Sequence, residues 1–315
     1  SITMIIERVE PDEFRNFFPL GCSHLYNSAE FSELNAQRCE ELHFLLFRDS
    51  RVRLGFTAGV RDGGLFSPFS APFGGFCSNS RQSVECVDEA VGLLAAYGSA
   101  CDGDIRITLP PPIYSSDLDV KTSGALFRAG HLECADLNYH YDIAKFDDFE
   151  SNMASRARNK FRESMRHDFM VRWSGIGDVD LARRCYEVIA ANRRWKGYPL
   201  RMSFGQVAAT AVVARSVFVV MSLGDDDVAA ALIQMVAPGV GQLVYWGDVP
   251  GFSDVRPMNR LAFETFAICR EKGLRVLDLG PSSEGGVPSY GLCGFKESIG
   301  CDVSLKHTFR LRSVK

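Results

Sequence analysis

Lys296 is the charged side chain best placed to do chemistry in this sequence. It closes GLRVLDLGPSSEGGVPSYGLCGFKESIG, residues 273–300, where Val276, Leu277 and Leu279 surround Asp278 and are stopped by Gly280 and Pro281. A short apolar run ended this way fits a buried strand better than a helix. The loop that follows, with Ser282, Ser283, Gly285, Gly286 and Pro288, leads into Tyr290, Phe295 and Lys296. A polar loop just past the carboxyl end of a core strand is where an α/β sheet exposes its chemistry. The competing reading is that Lys296 only caps a helix or pairs with a nearby carboxylate.

A second concentration of charge lies between residues 156 and 201, where twelve Lys and Arg stand against five Asp and Glu. This local +7 leaves −11 on the rest of a chain whose total is −4. A basic island in an acidic chain points to an anionic ligand such as a diphosphate, a coenzyme A or a tRNA 3′ end, while the acidic total argues against DNA. Arg158, Arg162 and Arg166 recur every four residues and share a helix face; a solvated face is the competing reading. The run Arg193, Arg194, Trp195, Lys196 and Tyr198 adds cations and aromatic surface beside them. The six histidines show neither metal spacing nor a Ser-His-Asp order, so no metal is expected, and His24, His43 and His131 read as structural or surface residues. Ten scattered cysteines without a Cys-x-x-Cys pair read as reduced thiols in a reducing compartment.

Behind these residues stand elements enough for two domains, since 315 residues with 46% hydrophobic content can form two cores of about 150 residues each. The expected division is 1–145 and 146–315. No apolar run approaches the roughly 20 residues needed to span a bilayer and no signal segment opens the chain, so a soluble, cytoplasmic protein is expected. The first half reads as strand 4–7, helices 11–17 and 28–39, a hairpin of strands 43–48 and 51–60, and strand 65–69. Helix 84–97, strand 104–109, helix 117–129 and strand 137–143 complete it. Phe69, Phe73 and Phe76, around the Gly-rich SAPFGGF, read as a core plug, with a binding loop as the alternative. The second half reads as a long helix 146–167, strand 171–173, helices 179–194 and 204–214, and a meander of strands 217–223, 228–237 and 242–248. Helix 258–272, strand 274–279, helix 292–298 and a strand 303–311 that closes the sheet follow.

The spacing of Gly273, Asp278, Gly280, Gly294, Phe295, Lys296 and Gly300 resembles the carboxyl-terminal part of the Fem-type (FemAB-like) aminoacyl transferases and their GNAT acyltransferase relatives. ASRARNKFRESMRHDF, with Arg158, Asn159 and Arg162, resembles the family's basic helix, and ANRRWKGYPLRMSF, residues 191–204, is a weaker match. The resemblance covers the second half of the chain. It implies an α/β fold with a mixed sheet and two tandem GNAT-like domains of the acyl-CoA N-acyltransferase type, the first degenerate and the second catalytic. It implies transfer of an acyl or aminoacyl group to an amine of a cell-envelope or sugar-linked acceptor. The alternatives are an acyl-CoA-dependent N-acetyltransferase and a non-catalytic binding module for a phosphorylated ligand.

In such a fold the donor lies where the fourth and fifth strands part, here 242–248 and 274–279. Lys296 is then expected to stabilise charge on the reacting carbonyl. Asp248 or Asp278 would accept a proton, although an Asp ending a strand often just caps the next turn. Arg158, Arg162, Lys196, Tyr198, Tyr245, Trp246, Ser282, Tyr290 and Phe295 are expected to bind substrate. No tightly bound cofactor is expected, and the co-substrate is aminoacyl-tRNA or acyl-CoA. The chain departs from the coenzyme A families at GDVPGFSDVRPMNRLAF, where their Gly-rich pyrophosphate turn is absent; Arg256 and the helix start at Pro257 remain as phosphate contacts.

Overall fold

Small polar side chains start most of the helices. Ser28, Ser83, Ser116, Asp178 and Ser203 each accept a hydrogen bond from the amide three residues on, satisfying a donor that has no partner inside the helix. The computed structural model describes residues 2–114 and 116–313 and divides into two compact units.

In chain order the first elements are β1 Ile5–Val9, α1 Pro11–Phe17, α2 Ala29–Leu34, β2 Glu41–Arg48, β3 Val52–Arg61, β4 Gly64–Ser67 and β5 Phe76–Cys77. Next come α3 Val84–Ala100, β6 Ile105–Thr108, α4 Asp117–Ala129, β7 His131–Asp142, α5 Ser155–Ser164, β8 Phe169–Ser174, α6 Val179–Trp195 and α7 Phe204–Ala214. The remainder is β9 Val217–Leu223, β10 Asp226–Ala237, β11 Val240–Asp248, α8 Pro257–Glu271, β12 Val276–Pro281, the short pair β13 Ser283–Glu284 and β14 Val287–Pro288, α9 Tyr290–Ser298 and β15 Asp302–Leu311.

Unit 1 holds the chain as far as Leu137, then Ser283–Val287 and the residues from Ser304 on. Its strands run in the order β1, β2, β3, β4, β6, β15, with β5 beside β3. Alternation on β2 and β3 turns Leu45, Phe47, Leu54, Phe56 and Ala58 into a core shared with Val87, Val91 and Leu94 of α3 and with Phe309 and Leu311 of β15. Phe69, Phe73 and Phe76 are buried, as a core plug requires. His43 is buried too and His24 partly so: His24 lies 3.0 Å from the Gly74 carbonyl and His43 lies 2.6 Å from the Tyr97 hydroxyl.

Unit 2 holds Asn138–Ser282 and Pro288–Val303, with strands in the order β7, β12, β11, β10, β9, β8. Its core packs Leu181, Cys185, Val188 and Ile189 of α6 and Val207 of α7 against Phe218, Val220, Ala230 and Leu232 of β9 and β10.

Four expectations are corrected. The division is not a single cut at 145/146: β7 from Asn138 onward pairs with β12, whereas β15 pairs with β6 from Thr308↔Thr108 to Leu311↔Ile105. The last strand therefore closes the sheet of unit 1, not that of unit 2. Ser283–Val287 joins unit 1 because the Asp136 carboxylate accepts from the Ser283 hydroxyl at 2.7 Å and the Gly286 amide at 2.9 Å. The long helix 146–167 is broken into a 3-10 turn, Ile143–Asp148, and α5. Asp142 caps Ala144 and the Ser151 hydroxyl donates to the Asp148 carbonyl, so local side-chain bonds displace helical ones. Helix 28–39 likewise stops at Leu34, where the Asn35 side chain donates to the Phe31 carbonyl at 2.9 Å.

Candidate active site

The parallel pair β11 and β12 is joined by three rungs, Val240↔Val276, Gly241↔Leu277 and Gln242↔Asp278. Beyond the third rung β11 runs on to Asp248 and β12 to Pro281 without pairing to each other. The two strands form a fork.

Asp278 sits at its apex, wholly buried. Its carboxylate accepts from the Asn138 amide at 2.8 Å, the Gln242 amide at 3.2 Å and the backbone of Gly280 at 2.8 Å. These bonds tie β7, β12 and β11 together at the level where the last two part. A carboxylate that accepts from three donors and is closed to solvent holds the fork together, an arrangement that does not suit the proton-acceptor role expected for it.

One residue further, β12 is bulged: its register against β7 shifts between Asp278↔His140 and Gly280↔Tyr139. Gly280 takes φ +75, where a residue with a Cβ is strained. Bulges re-aim the groups beside them, and here the Leu279 carbonyl accepts from Lys296 Nζ at 2.9 Å, with the Gly280 carbonyl at 3.4 Å. Lys296, on α9, is only 6% exposed. Burial pulls its pKa down to about 8, against the opposing pull of Cys301, Asp278 and Cys293. Two of the three N–H groups of an ammonium are thus occupied. The Tyr139 ring lies under it, 5.6 Å from Nζ to centroid, and the Tyr139 hydroxyl donates to Glu297 at 3.2 Å.

Phe295, next to Lys296, meets Trp246 of β11 edge to face at 5.9 Å, so α9 reaches the unpaired end of β11. Asp248 closes that end, half-buried. Burial raises its pKa, partly opposed by its own backbone amide and by the Lys196 charge. Its carbonyl accepts from the buried Asn192 side chain at 2.7 Å. Tyr245, two strand positions from Gly247, has its hydroxyl near Met202 Sδ at 4.0 Å and the Arg193 guanidinium over its ring at 5.4 Å. Arg193 Nε is buried without a hydrogen-bond partner among the described residues.

The remaining expected residues are placed as follows. Ser282 is buried; its carbonyl accepts from the Ser289 amide while its hydroxyl has no partner among the described residues. Tyr290 is exposed at the start of α9, and Tyr198 is exposed after α6, as is Lys196. Arg158 and Arg162 are not the free phosphate clamp expected of them. Arg158 donates to the Glu150 and Met153 carbonyls at 2.9 and 3.1 Å, and Arg162 pairs with Glu150 at 2.7 Å. They brace the turn before α5. Arg256 is likewise held by Glu163 at 3.0 Å. The ten cysteines are free thiols. Among the described residues no group of three or more His, Cys, Asp or Glu could hold a metal ion, and no helix is long and apolar enough to cross a membrane.

Asn138, Gln242 and Asn192 escaped the reading of the sequence, since an isolated amide carries no spacing signal. Tyr139 was visible only as one of two alternating tyrosines on a strand.

No family model and no curated protein matches the sequence. Solved structures do. FemX matches at a TM-score of 0.67 and 13% identity over 98% of this chain and 97% of its own. L-PGS from Bacillus licheniformis matches at 0.60 and 12% over 98% and 94%, and a tandem GNAT protein from the clavulanic acid biosynthesis pathway at 0.51 and 8% over 99% of each chain. At such identities the likeness is one of fold. In fold this chain is Fem-like, a mixed α/β protein of two GNAT-like domains in tandem.

Proposed function

We propose that the chain transfers an acyl or aminoacyl group to an amine of a cell-envelope or sugar-linked acceptor, at the fork of unit 2. The observation that carries this reading is the buried Lys296 ammonium at the carboxyl end of β12, directly past the point where β11 and β12 stop pairing. The acceptor amine attacks the donor's carbonyl carbon, a C–N bond forms, and the ester or thioester bond to the carrier breaks. The third N–H of Lys296 stabilises the oxyanion of the intermediate. Asp248, with a carboxyl raised by burial, takes the proton from the attacking amine and passes it to the departing oxygen or sulfur of the carrier. Arg193, with Lys196 just past the end of α6, supplies positive charge for an anionic portion of the acceptor.

Aminoacyl-tRNA is the preferred donor. Arg256, the remaining cation at the start of α8, is engaged by Glu163, and the backbone there offers no Gly-rich amide nest for a pyrophosphate. Incubating the protein with labelled aminoacyl-tRNA or acetyl-CoA and a panel of aminolipids and nucleotide-sugar-linked peptides, then weighing the acceptors by mass spectrometry, tests the reading. A mass gain that Lys296→Ala abolishes while acceptor binding persists supports it. Undiminished turnover by Lys296→Ala, or binding without transfer across the panel, refutes it; the second result would leave a binding module for an anionic ligand.

A further inference from the structure

We propose that unit 1 carries a second ligand site, a cavity of about 290 Å³ past the carboxyl end of β6, which takes a small aliphatic amine with its ammonium against Asp119. The inference does not depend on the transfer reading of unit 2.

The cavity is walled by Leu109 and three successive prolines, Pro110, Pro111 and Pro112, by Ser116, Asp119, Val120 and Ser123 at the start of α4, and by Leu305 and His307 of β15. Consecutive prolines fix φ and carry no N–H, so this wall is preformed and apolar. The place is a chemically consistent one. β4 and β6 are a parallel pair joined through α3 and followed by α4, as β11 and β12 are joined through α8 and followed by α9. Ser123 is the seventh residue of α4, the position that Lys296 holds in α9. Where unit 2 sets an ammonium at that position unit 1 sets a serine, and the charge in its cavity is the Asp119 carboxylate, one helical turn earlier.

Asp119 has no ion-pair partner among the described residues. Lys121 and Arg81 are both engaged by Asp117, Lys306 donates to the Pro72 carbonyl, and Arg128, beside Gly124, pairs with Asp88. The Ser116 hydroxyl serves the carboxyl in part, and burial still drives it up to about 7. A carboxylate withdrawn from water without a counter-ion is costly. Beside it, Val120 and Leu305 leave 73% and 45% of their surfaces exposed. One molecule answers both features: an ammonium for Asp119 and an aliphatic stem for Val120, Leu305 and the proline wall. An anion would be repelled by Asp119, and a neutral alcohol would gain the stem contacts alone. Burial lowers the pKa of His307, so at pH 8 the imidazole adds no competing charge.

Calorimetric titration of the full chain at pH 8 with n-pentylamine, 1-pentanol and hexanoate is the test. Saturable binding of pentylamine, at least tenfold tighter than pentanol and with hexanoate silent, is expected. Asp119→Asn should weaken pentylamine to the level of pentanol. Ser123→Lys, which sets an ammonium one helical turn from Asp119, should occupy the site from within, abolishing pentylamine binding while raising the melting temperature. Lys296→Ala should bind pentylamine like the wild type. Equal affinity for amine and alcohol, unchanged binding by Asp119→Asn or by Ser123→Lys, or loss of binding in Lys296→Ala would each overturn the proposal.

Discussion

Replacing Lys296 by methionine should stabilise the protein at neutral pH and destabilise it at high pH. The unfolded chain keeps the Lys296 proton up to the ordinary pKa of 10.5, and the folded chain releases it near 8. Between those values the unfolded state binds more protons, so stability rises with pH through that window. Below pH 8 the ammonium therefore weighs against the fold by roughly 3 kcal/mol, at about 1.4 kcal/mol per pKa unit. Methionine removes that penalty but leaves the carbonyls of Leu279 and Gly280 without their donor, a loss of about 1 kcal/mol each. The net is about 1 kcal/mol in favour of Lys296→Met at pH 7. Above pH 10.5 the wild type carries a neutral amine that still donates, and the variant is weaker by about 2 kcal/mol. Urea unfolding followed by the fluorescence of Trp246, which lies against Phe295, reports on this unit. With slopes of about 1–3 kcal/mol per molar, the midpoint should move up by about half a molar at pH 7 and down at pH 10.5. Other titrations are common to both proteins and cancel in the difference. A variant that is less stable at pH 7, with a difference flat in pH, would refute the buried-ammonium reasoning.

Asp278→Asn should lower stability by about 2–4 kcal/mol in the same urea assay, because an amide nitrogen then faces the donors of Asn138, Gln242 or Gly280. Since the Asp278 charge raises the Lys296 pKa, the upper limb of the pH–rate profile should also move below 8. Arg158→Gln should cost about 1–2 kcal/mol of stability and leave KM unchanged, for its bonds go to backbone carbonyls. Arg193→Gln should do the reverse, raising the KM for an anionic acceptor with the melting temperature nearly unmoved. Gly247→Ala should destabilise by about 1–3 kcal/mol, because the added carbon would come within 2.4 Å of the buried Asn192; a melt unchanged from wild type would contradict that packing.

Both prongs of the fork could be read from the sequence as apolar runs with turn residues at their ends, and Lys296 from the loop that follows. The parting of the prongs could not, because the number of rungs depends on register between segments some thirty residues apart, and no residue type marks the last rung. The arginine row failed for a related reason. Spacing of four places Arg158 and Arg162 on one face, but whether a guanidinium meets a ligand or its own chain depends on Glu150 and the carbonyls before α5. The final strand was recognised as a strand with nothing in it to say which sheet it joins. Burial patterns at its end, with Phe309 and Leu311 inward, suit either core.

The assignment of the proton acceptor follows from how the two aspartates are spent. Asp278 satisfies three donors and adds negative charge that favours the protonated form of Lys296. Asp248 is held differently: its backbone carbonyl accepts from Asn192, while its half-buried carboxyl is raised by desolvation and tempered by its own backbone amide and by Lys196. Protonating it relieves burial and leaves the apex untouched. In the proposed reaction the work is therefore divided along β11 and β12, with the fixed charge of Asp278 where the strands are joined and the proton acceptor Asp248 where they have parted.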